Sequence, residues 1–494
     1  MCDQLNASVM ETYGGPVPTP NISEIAKNGV LYTGAYCPTP FCTPSRASLI
    51  TGLYPHRHGL VNNVMRIDYP MVGGRETEEG IDSRDITTEG ILANNGWKTM
   101  HFGKWHLSGT QPACYPQMYT EHLQYGAEMK TRFDEIAKGR RDSYMDWYDW
   151  KLPVTVDKEF SRALSPIKKK WENSNTNSRF VDFISKMGRL DLPMEEIYDY
   201  RIAGKYADAI KAADGPFMLT CSFNWPHDPN VAPEPYYSRV DKSKINCSAS
   251  LPCETRFLND ISKEVPAMAG DIFLAEFLKI YYANVMMIDD QVGRILDALK
   301  TSGKYENTVI IFTADHGDMA GGHGMYWKST GAFYDEVACV PLIIAAPGYD
   351  RGKNYRDPVE LVDLMPTILD LCKMKTPDGI DGSSLVPVLQ GGKPKKNTAL
   401  SERLSPQSDH VRRLHTDDEQ YAFMMRCGNF KYCIYHNKGK TDQYLYNLEK
   451  DPKEYYNLAN KLESAGDLKH MQQKLKQRLL ETGYTGNLAF EGSK

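Results

Sequence analysis

Two hydrophobic rhythms alternate along this chain: short, nearly continuous apolar runs, and longer stretches in which apolar positions recur every three or four residues. The first pattern predicts buried strands and the second amphipathic helices. PTPNISEIA predicts a short helix that Asn21 or Ser23 can cap, and GVLYTGAYC a strand leading to a turn at Cys42. Thr87 to Asn94 predicts a helix, which Gly96 ends before the extended segment KTMHFGKWHL. Phe217 to Phe223 predicts an apolar strand, followed by a turn through Pro226, His227, Asp228 and Pro229. From Leu278 to Lys300, the residues Val285, Ile288, Val292, Ile295 and Leu299 form one helical stripe that Gly303 closes. TVIIFTADHGD and VPLIIAAPG predict two further buried strands, and VELVDLMPTILDL a helix opening after Pro358.

Strands alternating with helices over this length predict an α/β fold with a mainly parallel sheet covered on both faces. GGKPKKN, around residues 391–397, is the clearest linker by composition, and it divides a domain of residues 1–390 from one of residues 391–494. In the second part, YAFMMRCGNFKYCIYH and DQYLYNLEKDPKEYYNLA predict strands. Leu468, Met471, Leu475 and Leu479 form a last helical stripe closed by Gly483, so this part is expected to be a small α+β subdomain. Residues 110–200 are the least regular. There Trp147, Tyr148 and Trp150 either stack on a sugar ring or anchor an insertion to the body of the protein.

Composition narrows the function. The 494 residues carry 58 Lys plus Arg against 63 Asp plus Glu, a formal charge of −5, which argues against nucleic acid as a general partner. With no run of 18 apolar residues, no transmembrane helix and no membrane partner are expected. MCDQLNAS has neither a basic nor an apolar signal region, so the compartment is left open: cytoplasmic by default, periplasmic or secreted if the chain begins further upstream. Eleven cysteines without regular spacing are expected to be mostly thiols.

The chemistry is concentrated around CTPSRASLITG, Cys42 to Gly52. Pro44 suits a first helical turn, and a helix N-terminus stabilises an anionic nucleophile or bound oxyanion. Arg46 lies at i+4 on the same face, where its guanidinium can fork onto an oxyanion or hold the nucleophile. A lone cysteine of this kind is more often a buried thiol; its surroundings change that reading. If Lys104 to His106 is extended, Lys104 and His106 face one way and Trp105 the other. His227, just past a strand, stands at the ligand-binding edge of an α/β sheet. Asp315 and His316 can reach one ion if the backbone turns, which Gly317 permits. His56, His58 and His323 are read as structural loop histidines.

Cys-x-Pro-Ser-Arg followed by Leu49, Thr51 and Gly52 resembles the signature of the formylglycine-dependent sulfatases, in the alkaline phosphatase superfamily. The Gly-Lys-Trp-His of residues 103–106, the Pro-His-x-Pro of 226–229 and the Asn-Leu-x-x-Asp-Pro-x-Glu beginning at Asn447 match that family in order. The resemblance implies an alkaline-phosphatase-like fold with a small C-terminal subdomain, and hydrolysis of a sulfate ester, on a carbohydrate by general likeness. It implies that a formylglycine-generating or anaerobic sulfatase-maturing enzyme oxidises Cys42 to formylglycine, whose hydrate is the nucleophile. Asp3, Gln4, Asp315, His316 and the modified Cys42 would bind one divalent cation, calcium or else manganese or magnesium, since hard oxygen ligands suit these better than zinc. Lys104, Lys328 and Arg46 would supply positive charge, His106 would help break down the covalent intermediate, and His227 would protonate the leaving alcohol. Only Met1 and Cys2 precede Asp3, where the family has a hydrophobic strand; that strand is expected to be missing and Asp3 to fray. Two alternatives stay open: a phosphonate monoester or phosphodiester hydrolase on the same scaffold, and a sulfated-sugar binding protein without turnover if Cys42 is unmodified.

Overall fold

The computed structural model describes residues 1–63, 80–81, 85–107, 152–171, 184–247, 260–328, 332–406, 416–486, 488 and 490. Trp147, Tyr148 and Trp150 lie outside the described residues. In chain order the strands of the body are β1 (Cys2–Asp3), β2 (Val30–Tyr32), β3 (Ala35–Tyr36), β4 (Lys98–Gly103), β5 (Val154–Thr155) and β6 (Gly188–Leu190). They continue with β7 (Phe217–Pro226), β8 (Val231–Pro233), β9 (Ile310–Thr313), β10 (Leu342–Ala345), β11 (Lys353–Tyr355) and β12 (Val359–Glu360). Towards the C-terminus follow β13 (Thr398–Pro406), β14 (Thr416–Cys427), β15 (Phe430–Asn437) and β16 (Lys440–Asn447).

The order β4-β7-β1 is parallel throughout, and a parallel bridge from Cys2 to Ala314 joins it to β9-β10-β2-β11. Only β10 runs against its two neighbours, so the sheet is mainly parallel as the alternation predicts. Its strands are apolar because both faces are covered. A long helix, Asp260–Thr301, kinked at Gly270 with Pro266 inside it, packs on the Tyr198–Ala212 helix and on β7 and β8. It begins well before the Leu278 start that the apolar stripe predicts. Its Asp289 carboxylate accepts from the backbone N–H groups of Asn21 (3.2 Å) and Ile22 (2.8 Å), capping the Pro20–Lys27 helix in place of the side chain of Asn21 or Ser23.

The expectation that Asp3 frays is corrected. Two residues, Cys2 and Asp3, do form a strand, and it lies inside the sheet. The terminal amine donates to the Cys221 carbonyl (2.8 Å), Phe223 N–H to the Met1 carbonyl (2.9 Å), and Asp315 N–H to the Cys2 carbonyl (3.2 Å). With hydrogen bonds on both sides and Cys2 and Asp3 at 0% exposure, Asp3 does not fray. A second correction concerns VELVDLMPTILDL: Val359 and Glu360 pair with β3, and the α-helix opens only at Leu364.

The C-terminal strands form an antiparallel sheet in the order β13-β14-β15-β16. Alternation along β14 and β15 buries both faces. Phe423, Met425, Tyr432 and Ile434 pack against Met471, Leu475 and Leu479 of the Ala465–Glu481 helix, while Met424, Cys433 and Tyr435 pack against Met319, Phe333 and Val337 of the body. Each such side chain contributes about 1.5–3 kcal/mol on burial, so this sheet is welded to the body. Among the described residues no helix is long and apolar enough to cross a membrane, and the nine described cysteines are free thiols.

Candidate active site

Four neighbouring strands, β4, β7, β1 and β9, run in the same direction, and their C-terminal ends deliver the site residues: Lys104 just after β4, His227 just after β7, Asp3 ending β1, and Asp315 with His316 two and three residues after β9. This is the edge at which open α/β sheets bind ligands. Facing it, the Cys42–Thr51 helix begins at Cys42 itself. Its N-cap, Phe41, offers no side-chain acceptor; Thr43 N–H donates instead to Asn63 Oδ1 (3.0 Å). Two glycines admit the close approaches. A Cβ at Gly103 would lie 2.0 Å from the Ser222 carbonyl oxygen, and one at Gly317 2.0 Å from that of Glu336. Gly317 is therefore required for space beside the neighbouring chain, whereas its φ is not in the left-handed region.

Ligand atoms of Asp3, Cys42, Asp315 and His316 all lie within 4.8 Å of one another, and all four residues are buried. His316 Nδ1 bonds the Gly317 carbonyl (2.9 Å), which aims Nε2 at Cys42 Sγ, 3.2 Å away. Gln4, at φ 62°, completes the group. Its N–H donates to Asp315 Oδ1 (3.1 Å) and its side-chain amide N–H to Asp318 Oδ2 (2.6 Å), while its buried Oε1 has no hydrogen-bond partner. A buried amide oxygen left without a donor is uncommon. Together with two carboxylates and one imidazole it makes a donor set that fits a hard divalent cation such as calcium, magnesium or manganese.

Two lysines also approach the sulfur. Lys328 Nζ lies 3.6 Å and Lys104 Nζ 3.9 Å from Cys42 Sγ, and Lys104 also pairs with Asp3. His106 hydrogen-bonds the Cys42 side chain. Lys104 and His106 thus share a target while Trp105 packs with Ala47 and Ile50, as the alternation predicts, but the backbone is not extended: β4 stops at Gly103 and His106 has φ 55°. His227 donates or accepts on both sides, with Nε2 3.0 Å from Lys328 Nζ and Nδ1 2.8 Å from the Asp228 carbonyl. Arg46 differs from the expectation of an oxyanion fork. Nε donates to Asp315 (2.7 Å), Nη1 to the Lys104 carbonyl (2.8 Å) and Ser222 Oγ (2.9 Å), and Nη2 to Asp3 (3.3 Å), so all three nitrogens are engaged within the protein.

The electrostatics follow from this packing. Burial alone would raise the Cys42 thiol, but Lys104, Lys328, His316 and the His106 hydrogen bond outweigh it and hold the thiol well below its usual value. Burial depresses Lys328, yet the anions of Cys42, Asp228, Asp3 and Asp315 carry it up to about 12. Burial, with the Lys104 and Arg46 charges, lowers His106 despite its bond to Cys42.

All ten residues singled out from the sequence, Asp3, Gln4, Cys42, Arg46, Lys104, His106, His227, Asp315, His316 and Lys328, converge here. Three were overlooked: Asp318, which orients Gln4; Asp228, which holds His227 and accepts from Trp327 Nε1 (2.9 Å); and Ser222, which holds Arg46. Asp318 and Asp228 stand within the ADHGD and PHDP runs, so proximity to the motif was the available signal. His56 (with Glu402), His58 (with Ser48) and His323, stacked on Tyr334, are occupied elsewhere.

The sulfatase family model matches residues 1–374, and a model described as N-sulphoglucosamine sulphohydrolase, C-terminal, matches residues 321–483. An arylsulfatase of Clostridium perfringens is 27% identical over 100% of this chain and 96% of its own length. An ulvan-active sulfatase of Formosa agariphila is 26% identical over 82% of this chain and 67% of its own. The crystal structure of a phosphonate monoester hydrolase from Agrobacterium radiobacter shares the fold, with a TM-score of 0.73, 23% identity and coverage of 97% of this chain and 94% of that one. The chain belongs to the sulfatase family, with an alkaline-phosphatase-like fold, and is a hydrolase of sulfate esters.

Proposed function

We propose that this sulfatase hydrolyses a sulfate ester on a carbohydrate, with Cys42 in its formylglycine form as nucleophile and one divalent cation, calcium in the first instance, held by Asp3, Gln4, Asp315, His316 and residue 42. The observation that carries this reading is the position of Cys42 Sγ, within a hard-ligand cluster and within reach of two lysines. The bound cation would neutralise sulfate oxygens and ease deprotonation of the nucleophile. The formylglycine hydrate would supply what an ordinary serine or cysteine cannot, a second hydroxyl through which the aldehyde re-forms as sulfate departs.

The chain's own residues do the rest. Lys104 and Lys328 stabilise charge on the sulfate, an effect of several kcal/mol in sites of this kind. His227, held at Nδ1 by Asp228, presents Nε2 beside Lys328 and protonates the leaving alcohol oxygen. His106, kept neutral by its lowered pKa, takes a proton as sulfate is released. Arg46 positions the ligand carboxylates of Asp3 and Asp315 and does not itself meet substrate. Because Cys42 is fully buried, the maturing enzyme acts before the chain folds. The body of residues 1–390 carries this chemistry, and residues 391–494 form the α+β subdomain beside it.

The ulvan-active name of one relative and the N-sulphoglucosamine description of the C-terminal family model support a carbohydrate. The test is release of sulfate by matured, calcium-loaded protein from sulfated sugars, alongside an aryl sulfate, an aryl phosphonate and a phosphodiester. Faster turnover of the sulfates is expected. Preference for the phosphonate or diester would make the phosphonate hydrolase reading correct, and binding without any release would favour the binding-protein reading.

A further inference from the structure

One cation near Phe41, the residue that precedes the nucleophile, has no part in the chemistry above. Arg403, on β13, reaches the body because the edge of that strand is docked there: Glu402 N–H donates to the Pro38 carbonyl (2.8 Å). The Arg403 guanidinium lies 4.6 Å from the ring centroid of Phe41, the residue that precedes Cys42. The Lys328 ammonium stands 5.8 Å from the same ring, so the two cations are no more than about 10 Å apart. Arg403 donates from Nη1 to the Val61 carbonyl (2.6 Å) and, at 3.5 Å, to its neighbour Leu404. No carboxylate meets it among the described residues. Two other guanidiniums do have carboxylate partners: Arg46 has Asp3 and Asp315, and Arg478 has Glu360. Burial without an anion pulls Arg403 down to about 10.

Arg403 is part-buried, so its charge is partly exposed and open to an incoming anion while no carboxylate among the described residues neutralises it. Its planar fork suits a carboxylate or sulfate, and here one edge is pinned by Val61 and one face by Phe41, which leaves Nε and Nη2 without a partner among the described residues. We infer that Arg403 is the recognition residue for a second anionic oxygen group, a sulfate or a carboxylate, carried by the sugar whose ester is cleaved at Cys42. The inference rests on the proposed sulfatase chemistry and gives it a substrate class: sulfate esters bearing at least two negative groups, spaced to reach from Lys328 to Arg403. It also gives the C-terminal sheet a share in specificity.

The test compares sulfated disaccharides carrying one sulfate, two sulfates, or one sulfate and a uronate carboxylate, on the parent and on Arg403→Gln and Arg403→Lys. The reading is the ratio of kcat/KM for each dianionic substrate to that for the monosulfate, together with Kd values for the same compounds on Cys42→Ala protein. A charge-assisted bond of this kind predicts that Arg403→Gln lowers the ratio about tenfold or more, chiefly through KM, and that Arg403→Lys restores part of it. Loss confined to the disulfate or to the uronate identifies the group. A ratio unchanged in Arg403→Gln, or an equal loss for mono- and dianionic substrates, overturns the inference while leaving the sulfatase reading intact. If no ester is cleaved, the proposed function fails and the inference about its substrate fails with it; a Kd ratio that still falls in Arg403→Gln then marks Arg403 as an anion-binding residue only.

Discussion

Arg46 Nε donates to Asp315 Oδ2 at 2.7 Å, with both side chains out of reach of solvent. This pair, extended to Asp3 through Nη2, lays a fixed cation behind the two carboxylates that face Cys42. Arg46→Met keeps much of the volume and leaves two buried carboxylates without their partner. It should cost about 3–5 kcal/mol in urea unfolding of chelator-treated protein. A loss below about 1 kcal/mol would show that the arginine does not hold these ligands.

Asp318 accepts from the Gln4 side-chain amide, which fixes that side chain and leaves its buried Oε1 free of hydrogen bonds and available to a cation. Removing such an outer partner usually weakens metal binding about 10–100-fold. Asp318→Ala should therefore raise the calcium Kd by that factor in a calorimetric titration, and excess calcium should recover activity. An unchanged Kd would place Gln4 outside the cation site.

Lys328 touches both Cys42 and His227, at 3.6 and 3.0 Å. Lys328→Ala should reduce kcat/KM for an aryl sulfate by about 10²–10³, the scale of losing one charge stabiliser in a dry site. A loss smaller than threefold would assign the charge stabilisation elsewhere.

Much of this site is legible in the sequence because each motif sits where a strand ends or a helix begins, and the strand order then brings those ends together. The residues that escaped notice are those whose meaning is tertiary. Asp318 matters only because Gln4 lies beside it, and Arg403 only because β13 docks against the loop before Cys42. The same cause explains the misplaced boundaries. Val359 and Glu360 have helix-compatible neighbours but are drawn into pairing with β3, and the two-residue β1 is stable because the sheet bonds it on both sides. Local pattern cannot anticipate a partner strand that is distant along the chain.

His56 ties the Pro55–His58 turn to the C-terminal sheet, with Nδ1 2.8 Å from Glu402 Oε2. Burial lowers its pKa, but the Glu402 carboxylate more than offsets this and raises it. A raised folded pKa means that the pair stabilises fully below the unfolded value of about 6.5 and that this contribution fades as pH rises through the folded value. The difference in Tm between parent and His56→Gln should accordingly shrink on going from about pH 6 to about pH 9. A difference that grows with pH would contradict the assignment.

Residue 42 is assigned the role of a formylglycine. The most direct measurement is the mass of the peptide containing Cys42, taken from protein made with its maturing enzyme and shown to release sulfate. Loss of the thiol sulfur and gain of an aldehyde oxygen are expected in proportion to activity. An intact thiol throughout fully active protein would contradict it.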